Sequence, residues 1–324
     1  MLVGNARALQ DAKLLLEKFA ACDLPILIEG ETGTGKELAA RAVHYASSRR
    51  ALPFIPVNCG AIPDTLVENE FFGHKRGAYT DAREDQRGLA SLAEGGALFL
   101  DEVDVLSAKG QVSLLRFLQD RVYTQIGGNV SRVANIRIIA ASNSDISCLA
   151  DRGAFRADLL FRLRILHVTM PPLRQRVEDI PELAEHFLAC FSQRNNTPQK
   201  ILRPEVVDWM RGHSWPGNVR ELENLMYRAC VLAEGRDIGI EAISEVGDVR
   251  HLGDGPPPVA DVPTTFVEAK AAAISQFEVH YLSELMRRAQ GNVSFAARLA
   301  GTERRYLGKL LKKHQIEKIP PRPV

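Results

Sequence analysis

Gly30-Glu31-Thr32-Gly33-Thr34-Gly35-Lys36-Glu37 is the stretch of this sequence that decides its fold. It follows the apolar run Leu24–Ile28 and precedes a helix-forming stretch, Glu37–Ala46. A strand, a glycine loop and a helix are the context in which GxxxxGK forms a phosphate-binding P-loop. The glycines let successive backbone N–H groups surround a phosphate, the helix N-terminus adds partial positive charge, and Lys36 adds a point charge. We therefore predict that residues 30 to 37 bind a nucleotide.

Residues 1–170 alternate short apolar strands with amphipathic helices, a pattern that predicts a parallel α/β sheet. The predicted strands are Leu24–Glu29, Phe54–Asn58, Ala97–Leu100, Ile136–Ala141 and Ile165–Met170. The predicted helices include Ala6–Ala20, Glu37–Ser47 and Lys109–Gln119.

Beyond residue 170 the strands cease, and helical periods predict a small helical domain over residues 171–243. Its helices are predicted at Ile180–Arg194, Pro204–Gly212 and Val219–Ala233. Residues 244–265 are rich in Gly, Pro and Asp and are predicted to form a linker. Residues 266–324 are helical again and form a third domain in this interpretation.

Composition narrows the class of protein. The 324 residues are 45% hydrophobic and 25% charged, ordinary proportions for a globular protein. No apolar run approaches the ~20 residues that cross a bilayer, so we predict a cytoplasmic protein without a membrane partner. Five widely spaced cysteines without a CxxC pair predict reduced thiols.

Residues 266–324 hold 11 Lys and Arg against 5 Asp and Glu, whereas the remainder holds 30 against 35. A basic tail on an acidic body indicates nucleic-acid binding.

Two acidic residues end the strand Leu98-Phe99-Leu100-Asp101-Glu102. Ligands of α/β sheets bind at the carboxyl ends of the strands, so both acids are expected to face the P-loop. Asp101 is predicted to hold Mg²⁺ and Glu102 to polarise the water that attacks the γ-phosphate of ATP. Glu37 replaces the usual Mg²⁺-binding Ser or Thr, so the metal depends on such ligands. Asn143 ends the next strand, where its amide could sense the phosphate or cap a turn.

Three arginines are candidates for charge neutralisation during phosphoryl transfer. Arg156 and Arg162 lie in FRADLLFRL, and a neighbouring subunit's arginine could reach the nucleotide in this way. Arg220, in WPGNVREL, opens a helix and could report nucleotide state. On the pattern alone, any one of them is more often a surface arginine or an ion-pair partner.

One loop exposes an aromatic ring. Gly77-Ala78-Tyr79-Thr80-Asp81-Ala82 lies within a stretch too rich in glycine and charge for a regular element. It predicts a mobile insertion that presents Tyr79 and Thr80 to a protein partner, although the ring could also fold back on the sheet. A second loop at Ile126–Ser131 is expected to move with the first.

The end of the chain predicts a helix-turn-helix. Val293–Ala300, a turn at Gly301 and Thr302–His314 give two helices. We expect Leu299, Leu307 and Leu311 to be buried. The basic residues are expected to face outward and bind DNA phosphates; they are Arg304, Arg305, Lys309, Lys312 and Lys313. A preceding stripe, from Ala269 to Leu285, could be core or a seam between two chains. Gly308 within the second helix either allows close approach to DNA or weakens binding.

GETGTGKE, FFGHKRGAYTDA, GGALFLDEVD, FRADLLFRLR and WPGNVREL occur in this order. From about Leu2 to Ile316 the chain resembles bacterial enhancer-binding proteins, the NtrC-like activators of sigma-54 RNA polymerase. The resemblance implies an AAA+ P-loop domain with a helical lid, followed by a Fis-type helix-turn-helix. It also implies ATP and Mg²⁺ as ligands and ATP hydrolysis in a hexameric ring, with sites between subunits. A Glu after the P-loop lysine is usual in that family.

The resemblance assigns further roles. Arg156 and Arg162 become fingers that act on the neighbouring subunit's nucleotide. Asn143 and Arg220 become the first and second sensors, and Asn58 the residue that restrains Glu102.

In the family, the exposed loop reads GAFTGA and touches sigma-54. Here Tyr79 replaces Phe, and Asp81 replaces Gly, which adds charge and removes backbone freedom. The main prediction is therefore a sigma-54-dependent activator that binds upstream DNA. The alternatives are a DNA-binding regulator whose assembly ATP controls, and an ATPase with unrelated clients.

Overall fold

The computed structural model describes residues 2–79, 82–233, 235–244, 278, 282, 285, 286, 289, 291–302 and 304–314. The chain divides into two compact units, Met1–Gly253 and Asp254–Val324. Within the described part of the chain, no helix combines the length and the apolar character needed to cross a membrane.

A five-stranded parallel sheet forms the centre of the first unit, which confirms the predicted α/β class. Across the sheet the strands follow the order Phe54–Asn58, Ala97–Asp101, Arg137–Ser142, Ile26–Glu29 and Leu166–Thr169. All five predicted strands are present, with ends shifted by two residues at most. The P-loop strand, Ile26–Glu29, has a hydrogen-bonded neighbour on each side. The loop that follows it therefore leaves the sheet from an interior position.

Helices cover both faces of this sheet. Alternate residues of a strand point to opposite faces, and the P-loop strand shows this directly. Ile26 and Ile28 pack with the helices Arg7–Ala20 and Lys36–Ala46. Leu27 belongs to the opposite core. That core includes the helices Ala108–Asp120 and Ala157–Leu163. Burial on both faces explains why the strands are continuously apolar instead of alternating.

Short elements complete the α/β part of the unit. The helices are Val67–Phe72, Leu89–Leu92 and Ile146–Asp151. Gly73–His74 pairs antiparallel with Gln86–Arg87, and Val122–Thr124 pairs antiparallel with Ser131–Val133. We call these the first and second hairpins. Their strands of two or three residues are too short to show a periodicity in the sequence.

The lid, from about residue 171 to 243, is mainly helical, as predicted. Its helices are Ile180–Asn195, Pro204–Gly212, Asn218–Leu232 and Ile240–Ser244. Trp215 is 1% exposed at the centre of the lid core, and its Nε1 donates to the Met210 carbonyl at 2.8 Å. The prediction that strands cease here was wrong in one detail, because Ile201–Leu202 pairs with Asp237–Ile238 in parallel.

The second unit contains a helix–turn–helix pair. The helix Val293–Leu299 begins at Asn292, whose Oδ1 accepts from the backbone N–H groups of Ser294 and Phe295. Gly301 makes the turn at φ 61°, in the left-handed region that favours glycine. The helix Arg304–Lys313 follows. The predicted linker and most of the preceding stripe lie outside the described residues.

One prediction for this pair was wrong. Leu307 and Leu311 are buried as expected, together with Ala296 and Ala297. Leu299, however, is 53% exposed. It lies at the last position of its helix, and its neighbours Ala296 and Ala297 supply the buried contact instead.

Candidate active site

The P-loop has the geometry that the sequence predicts. Gly35 caps the following helix at φ 98°, so that the helix begins at Lys36. Gly33 adopts φ 80°, and a Cβ there would clash with the carbonyl oxygen of Gly217 in the lid. Both positions therefore require glycine, one of them because the lid approaches the loop so closely. The Thr34 hydroxyl donates to the Glu31 carbonyl at 2.7 Å and closes the loop.

Lys36 points back over the loop. Its Nζ donates to the carbonyl oxygens of Gly30 and Glu31 at 2.7 and 3.0 Å, and to Oδ1 of Asn143 at 2.6 Å. Burial lowers the pKa of Lys36, and the nearby carboxylates of Asp101, Asp104 and Glu102 oppose that shift. An ammonium that is held by neutral oxygens can exchange them for phosphate oxygens.

Asp101 and Glu102 end the strand beside the loop. Asp101 Oδ1 accepts from the backbone N–H of Glu102 at 3.0 Å, and burial raises the pKa of Asp101. Glu102 has φ 55° and ψ 45°, a left-handed conformation that few non-glycine residues adopt. The Nδ2 of Asn143 donates to Oε1 of Glu102 at 3.3 Å. Asn143 therefore bridges Lys36 and Glu102 with opposite ends of one amide.

Asn58 lies at the same edge of the sheet but does not contact Glu102 through a hydrogen bond. Its Oδ1 accepts from the Gly60 backbone N–H at 2.7 Å. The same oxygen and Oε2 of Glu102 both lie beside Gly60. The restraining role of Asn58 stays a prediction.

A cleft of about 300 Å³ lies between the loop, the strand ends and the lid. It brings together most of the residues that the sequence singled out: Thr32, Gly33, Gly35, Lys36, Glu37, Asn58, Asp101, Glu102, Asn143 and Arg220. Glu37 also forms an ion pair with Arg41 at 2.8 Å. A second cleft of about 330 Å³ shares Thr32 and Arg220 with the first. It is walled by Trp209, Trp215 and Pro216.

The cleft has the donors that a magnesium–triphosphate complex needs. Backbone N–H groups and Lys36 suit phosphate, and the Asp101 carboxylate is a hard oxygen ligand of the kind that Mg²⁺ prefers. Lys36 offsets the burial of Asp101 only in part, since the pKa of Asp101 stays raised, and a metal ion in the cleft would stabilise the ionised carboxylate.

Arg156 and Arg162 lie elsewhere. Both are exposed, Arg156 just before the helix Ala157–Leu163 and Arg162 in its last turn. Arg156 donates to both carboxylate oxygens of Asp158, at 3.0 and 2.7 Å. In the described part of the chain, Arg162 has no hydrogen-bond or ion-pair partner. Neither arginine lines the cleft of its own chain.

The loop with the exposed ring extends from the first hairpin. Tyr79 is 44% exposed, and its ring centroid lies 4.9 Å from that of His74. The Gly77 backbone N–H donates to the Ala82 carbonyl at 2.8 Å. Thr80 and Asp81 lie outside the described residues. The ring is therefore partly exposed and partly packed, between the two alternatives that the sequence left open.

The two hairpins contact each other. The Lys75 backbone N–H donates to the Ile126 carbonyl at 2.9 Å, and the Ile126 N–H donates to the Gly73 carbonyl at 2.9 Å. Gly127 lies directly against Ala78. These contacts support the prediction that the two loops move together.

The basic residues of the second unit are exposed. Arg304, Arg305, Lys309, Lys312 and Lys313 all lie on the solvent side of the helix Arg304–Lys313. Lys313 also forms an ion pair with Glu278 at 2.8 Å. Their binding to DNA stays a prediction.

Sequence reasoning missed three lid residues whose side chains contact the P-loop, Arg174, Arg176 and Asn218. Asn218 lies within WPGNVREL, two residues before Arg220, but this motif alone did not predict a contact between Asn218 and the P-loop. Nothing in the sequence around Arg174 marks it, because its partner Glu31 is 143 residues away along the chain.

A parallel sheet, a P-loop, an acidic strand end and a helical lid together define an AAA+ ATPase. The chain belongs to the family of the Sigma-54 interaction domain, which matches residues 2–169. The AAA+ ATPase lid domain matches residues 174–251. The predicted enzyme class, an AAA+ ATPase of the sigma-54 activator family, is confirmed.

Named relatives agree with this family. The chain is 40% identical over 311 residues to the transcriptional regulatory protein GlrR of Escherichia coli, covering 96% of this chain and 66% of that protein. It is 46% identical over 231 residues to NtrC of Bradyrhizobium, covering 71% and 48%. The crystal structure of NtrX from Brucella abortus in complex with ADP superimposes with a TM-score of 0.74 at 30% identity. That match covers 98% of this chain and 69% of NtrX. The chain spans about half to two thirds of the length of these relatives.

Proposed function

We propose that this chain is a cytoplasmic, sigma-54-dependent transcriptional activator. It binds upstream DNA and uses ATP hydrolysis to remodel the RNA polymerase closed complex. The observation that carries this proposal is the bridge from Lys36 through Asn143 to Glu102. It connects the lysine that we assign to phosphate binding with the acid that we assign to water activation, and it supports ATP hydrolysis in this cleft.

The roles of the cleft residues follow from their chemistry. Residues Gly30 to Glu37 bind the phosphates of ATP, with Lys36 on the outer ones. Asp101 holds Mg²⁺, which when bound neutralises charge on the phosphate oxygens. Glu102 orients the attacking water and accepts its proton. Asn143 senses the γ-phosphate, because phosphate that binds Lys36 displaces its amide oxygen.

Arginines from a neighbouring subunit complete the site. Arg162 has no partner among the described residues, and Arg156 has only Asp158. An exposed, unpaired guanidinium can stabilise transition-state charge in a second copy of the chain. Hydrolysis therefore requires a ring, which we propose to be a hexamer. Arg220, on the wall of the cleft, acts as the sensor in the lid.

In this proposal, the first hairpin transmits the effect of ATP hydrolysis to sigma-54. Tyr79 is 44% exposed at the end of the hairpin, and main-chain hydrogen bonds join this hairpin to the second one. We assign residues Gly77 to Ala82 to the contact with sigma-54. The helix Arg304–Lys313 supplies the DNA contact, with its basic side chains on phosphates. DNA-bound subunits reach a high local concentration, which favours ring assembly.

The loop sequence favours a second candidate function. Asp81 places a carboxylate where the family has glycine. In this alternative the chain regulates transcription as a DNA-binding protein without sigma-54, and ATP controls only its assembly.

A promoter-opening assay with sigma-54 RNA polymerase tests the proposal. Open complexes are expected with ATP, and none with a non-hydrolysable analogue or with Glu102→Ala. Asp81→Gly separates the two candidates. If only this variant binds sigma-54, the second candidate holds. If the unaltered chain already opens the promoter, the first holds.

A further inference from the structure

The lid holds the P-loop through its side chains. Arg174 donates from both terminal nitrogens to the carboxylate of Glu31, at 2.7 and 2.6 Å. Asn218 Nδ2 donates to the same carboxylate at 3.1 Å and to the carbonyl of Thr32 at 3.0 Å. Two successive residues of the loop are thus fixed by two residues of the lid.

Main-chain contacts reinforce this attachment. The backbone N–H of Val219 donates to the carbonyl of Gly33 at 3.0 Å. The absence of a side chain at Gly33 lets Gly217 of the lid come into direct contact with the loop. Arg176 of the lid also donates to the Thr34 carbonyl at 3.2 Å, so a displacement of the lid pulls on four consecutive loop residues, Glu31 to Thr34.

The position of Asn218 is fixed by burial and by hydrogen bonds at both ends of its amide. It is fully buried and has φ 52°, a conformation that asparagine tolerates better than most residues. Its Oδ1 accepts from the backbone N–H of Leu173 at 2.7 Å, while its Nδ2 serves the loop. A single amide thus connects the segment that enters the lid to the P-loop.

The charge of Glu31 explains why Arg174 matters. Hydrogen bonds from Arg174, then from Asn218, hold the pKa of Glu31 at about 2, so the group is ionised at neutral pH. An ionised carboxylate within a phosphate-binding loop repels phosphate. Arg174 pairs with both of its oxygens and offsets that repulsion.

We propose that Arg174 and Asn218 are positioning residues for the nucleotide. They neutralise Glu31 and fix residues 31 to 33, so nucleotide affinity depends on whether the lid is seated on the loop. This inference rests on the proposed nucleotide site. It extends the site to two lid residues that do not themselves touch the phosphates.

The test measures ADP affinity by calorimetry, and KM and kcat for ATP, in the full chain. The variants are Arg174→Gln, Glu31→Gln and the double variant. Arg211→Gln is the matched control, since Arg211 is similarly exposed and pairs with Asp208 within the lid.

Arg174→Gln is expected to weaken ADP binding on the order of tenfold, because it leaves the Glu31 charge beside the phosphates. The double variant should regain most of that affinity, since it removes the charge as well. KM for ATP should rise while kcat changes little, because the variant leaves the groups at the γ-phosphate in place. Arg174→Lys, which keeps charge but loses the paired geometry, should fall between the wild type and Arg174→Gln.

Two outcomes would overturn this inference and leave the proposed function intact. One is an equal loss of ADP affinity in Arg174→Gln and in the control. The other is additive losses of ADP affinity in Arg174→Gln and Glu31→Gln. Absence of nucleotide binding in the wild type would overturn the proposed function and this inference with it. Asn218→Gly provides a second variant, because glycine accepts φ 52° but lacks the amide. Asn218→Gly should raise KM for ATP, as Arg174→Gln does. Circular dichroism reports whether the variant keeps its fold.

Discussion

Lys36 Nζ lies 2.6 Å from Oδ1 of Asn143, so the P-loop lysine is held by a side chain from a neighbouring strand. The other end of that amide reaches Glu102. In the proposed function, a phosphate that binds Lys36 would release the Asn143 amide and so change the surroundings of Glu102. One side chain would then connect nucleotide binding to catalysis.

Glu102→Gln is expected to lower kcat for ATP by about 10²–10⁴-fold, because an amide cannot accept a proton from water. Nucleotide affinity should change little, since Glu102 makes no contact with the P-loop itself. Turnover by phosphate release and affinity by calorimetry check both expectations. Lys36→Ala is the contrasting variant, and it should lose binding and turnover together.

Subunits that carry Arg162→Ala are expected to regain activity when mixed with Lys36→Ala subunits, because each supplies what the other lacks. In random mixed rings, about a quarter of the interfaces combine an intact P-loop with an intact arginine. Phosphate release measured across mixing ratios should therefore peak near equal amounts. Activity that simply averages the two inactive parents would contradict an arginine acting between subunits.

Asp101→Asn is expected to stabilise the nucleotide-free protein while it weakens magnesium-dependent ATP binding. Burial raises the pKa of Asp101, so the fold disfavours the ionised form relative to the unfolded chain. The penalty is therefore fully present above that raised pKa, shrinks as the pH falls below it, and is absent below the ordinary carboxyl pKa of the unfolded chain. Thermal unfolding should show a higher midpoint for Asp101→Asn at neutral pH. An unchanged or lower midpoint would contradict the assignment.

Cys59 should resist alkylation in the native protein, whereas Cys148 should react. Burial raises the pKa of Cys59 to about 12, and the carboxylates of Asp101, Asp104 and Glu102 add to that shift. The thiol is thus almost fully protonated at pH 8, while Cys148 is exposed. Iodoacetamide labelling followed by peptide mass spectrometry measures both sites in one sample. Labelling of Cys59 only above the unfolding temperature would meet the expectation.

Gly308→Ala should stabilise its helix by about 1 kcal/mol, because alanine is the better helix former and a Cβ there meets no atom within 4 Å. With no internal reason for a glycine, we expect it to serve close approach of DNA. The variant should therefore bind duplex DNA more weakly although it is more stable. Gly212→Ala, another open helical position, is the control. Unchanged DNA affinity in Gly308→Ala would favour a solvated helix surface.

The sequence predicted the parts of the fold that have a strong local signal. The five strands are long apolar runs, and the P-loop places Lys36 by its glycines alone. Leu299 was predicted wrongly because its helix ends there, and the pairing of Ile201 with Asp237 was missed because two-residue strands leave no pattern. These features depend on tertiary neighbours.

The site divides in the same way. Each cleft residue follows a strand or opens a helix, so topology alone brings it to the edge of the sheet. The bond from Arg174 to Glu31 joins surface residues far apart in sequence, and charged residues at a surface are too common to mark a pair. Arg162 carries the converse problem, since its expected partner belongs to another chain.

The main-chain hydrogen bonds that join Ile126 to Lys75 and to Gly73 have an evolutionary consequence. Because backbone atoms make this connection, the side chains at either tip can diverge without severing it. Replacement of Phe by Tyr, or of Gly by Asp, in the loop of the first hairpin therefore leaves these main-chain hydrogen bonds possible. A chimaera that carries the GAFTGA loop of a relative should therefore bind that relative's partner protein while it keeps the ATPase activity of this chain.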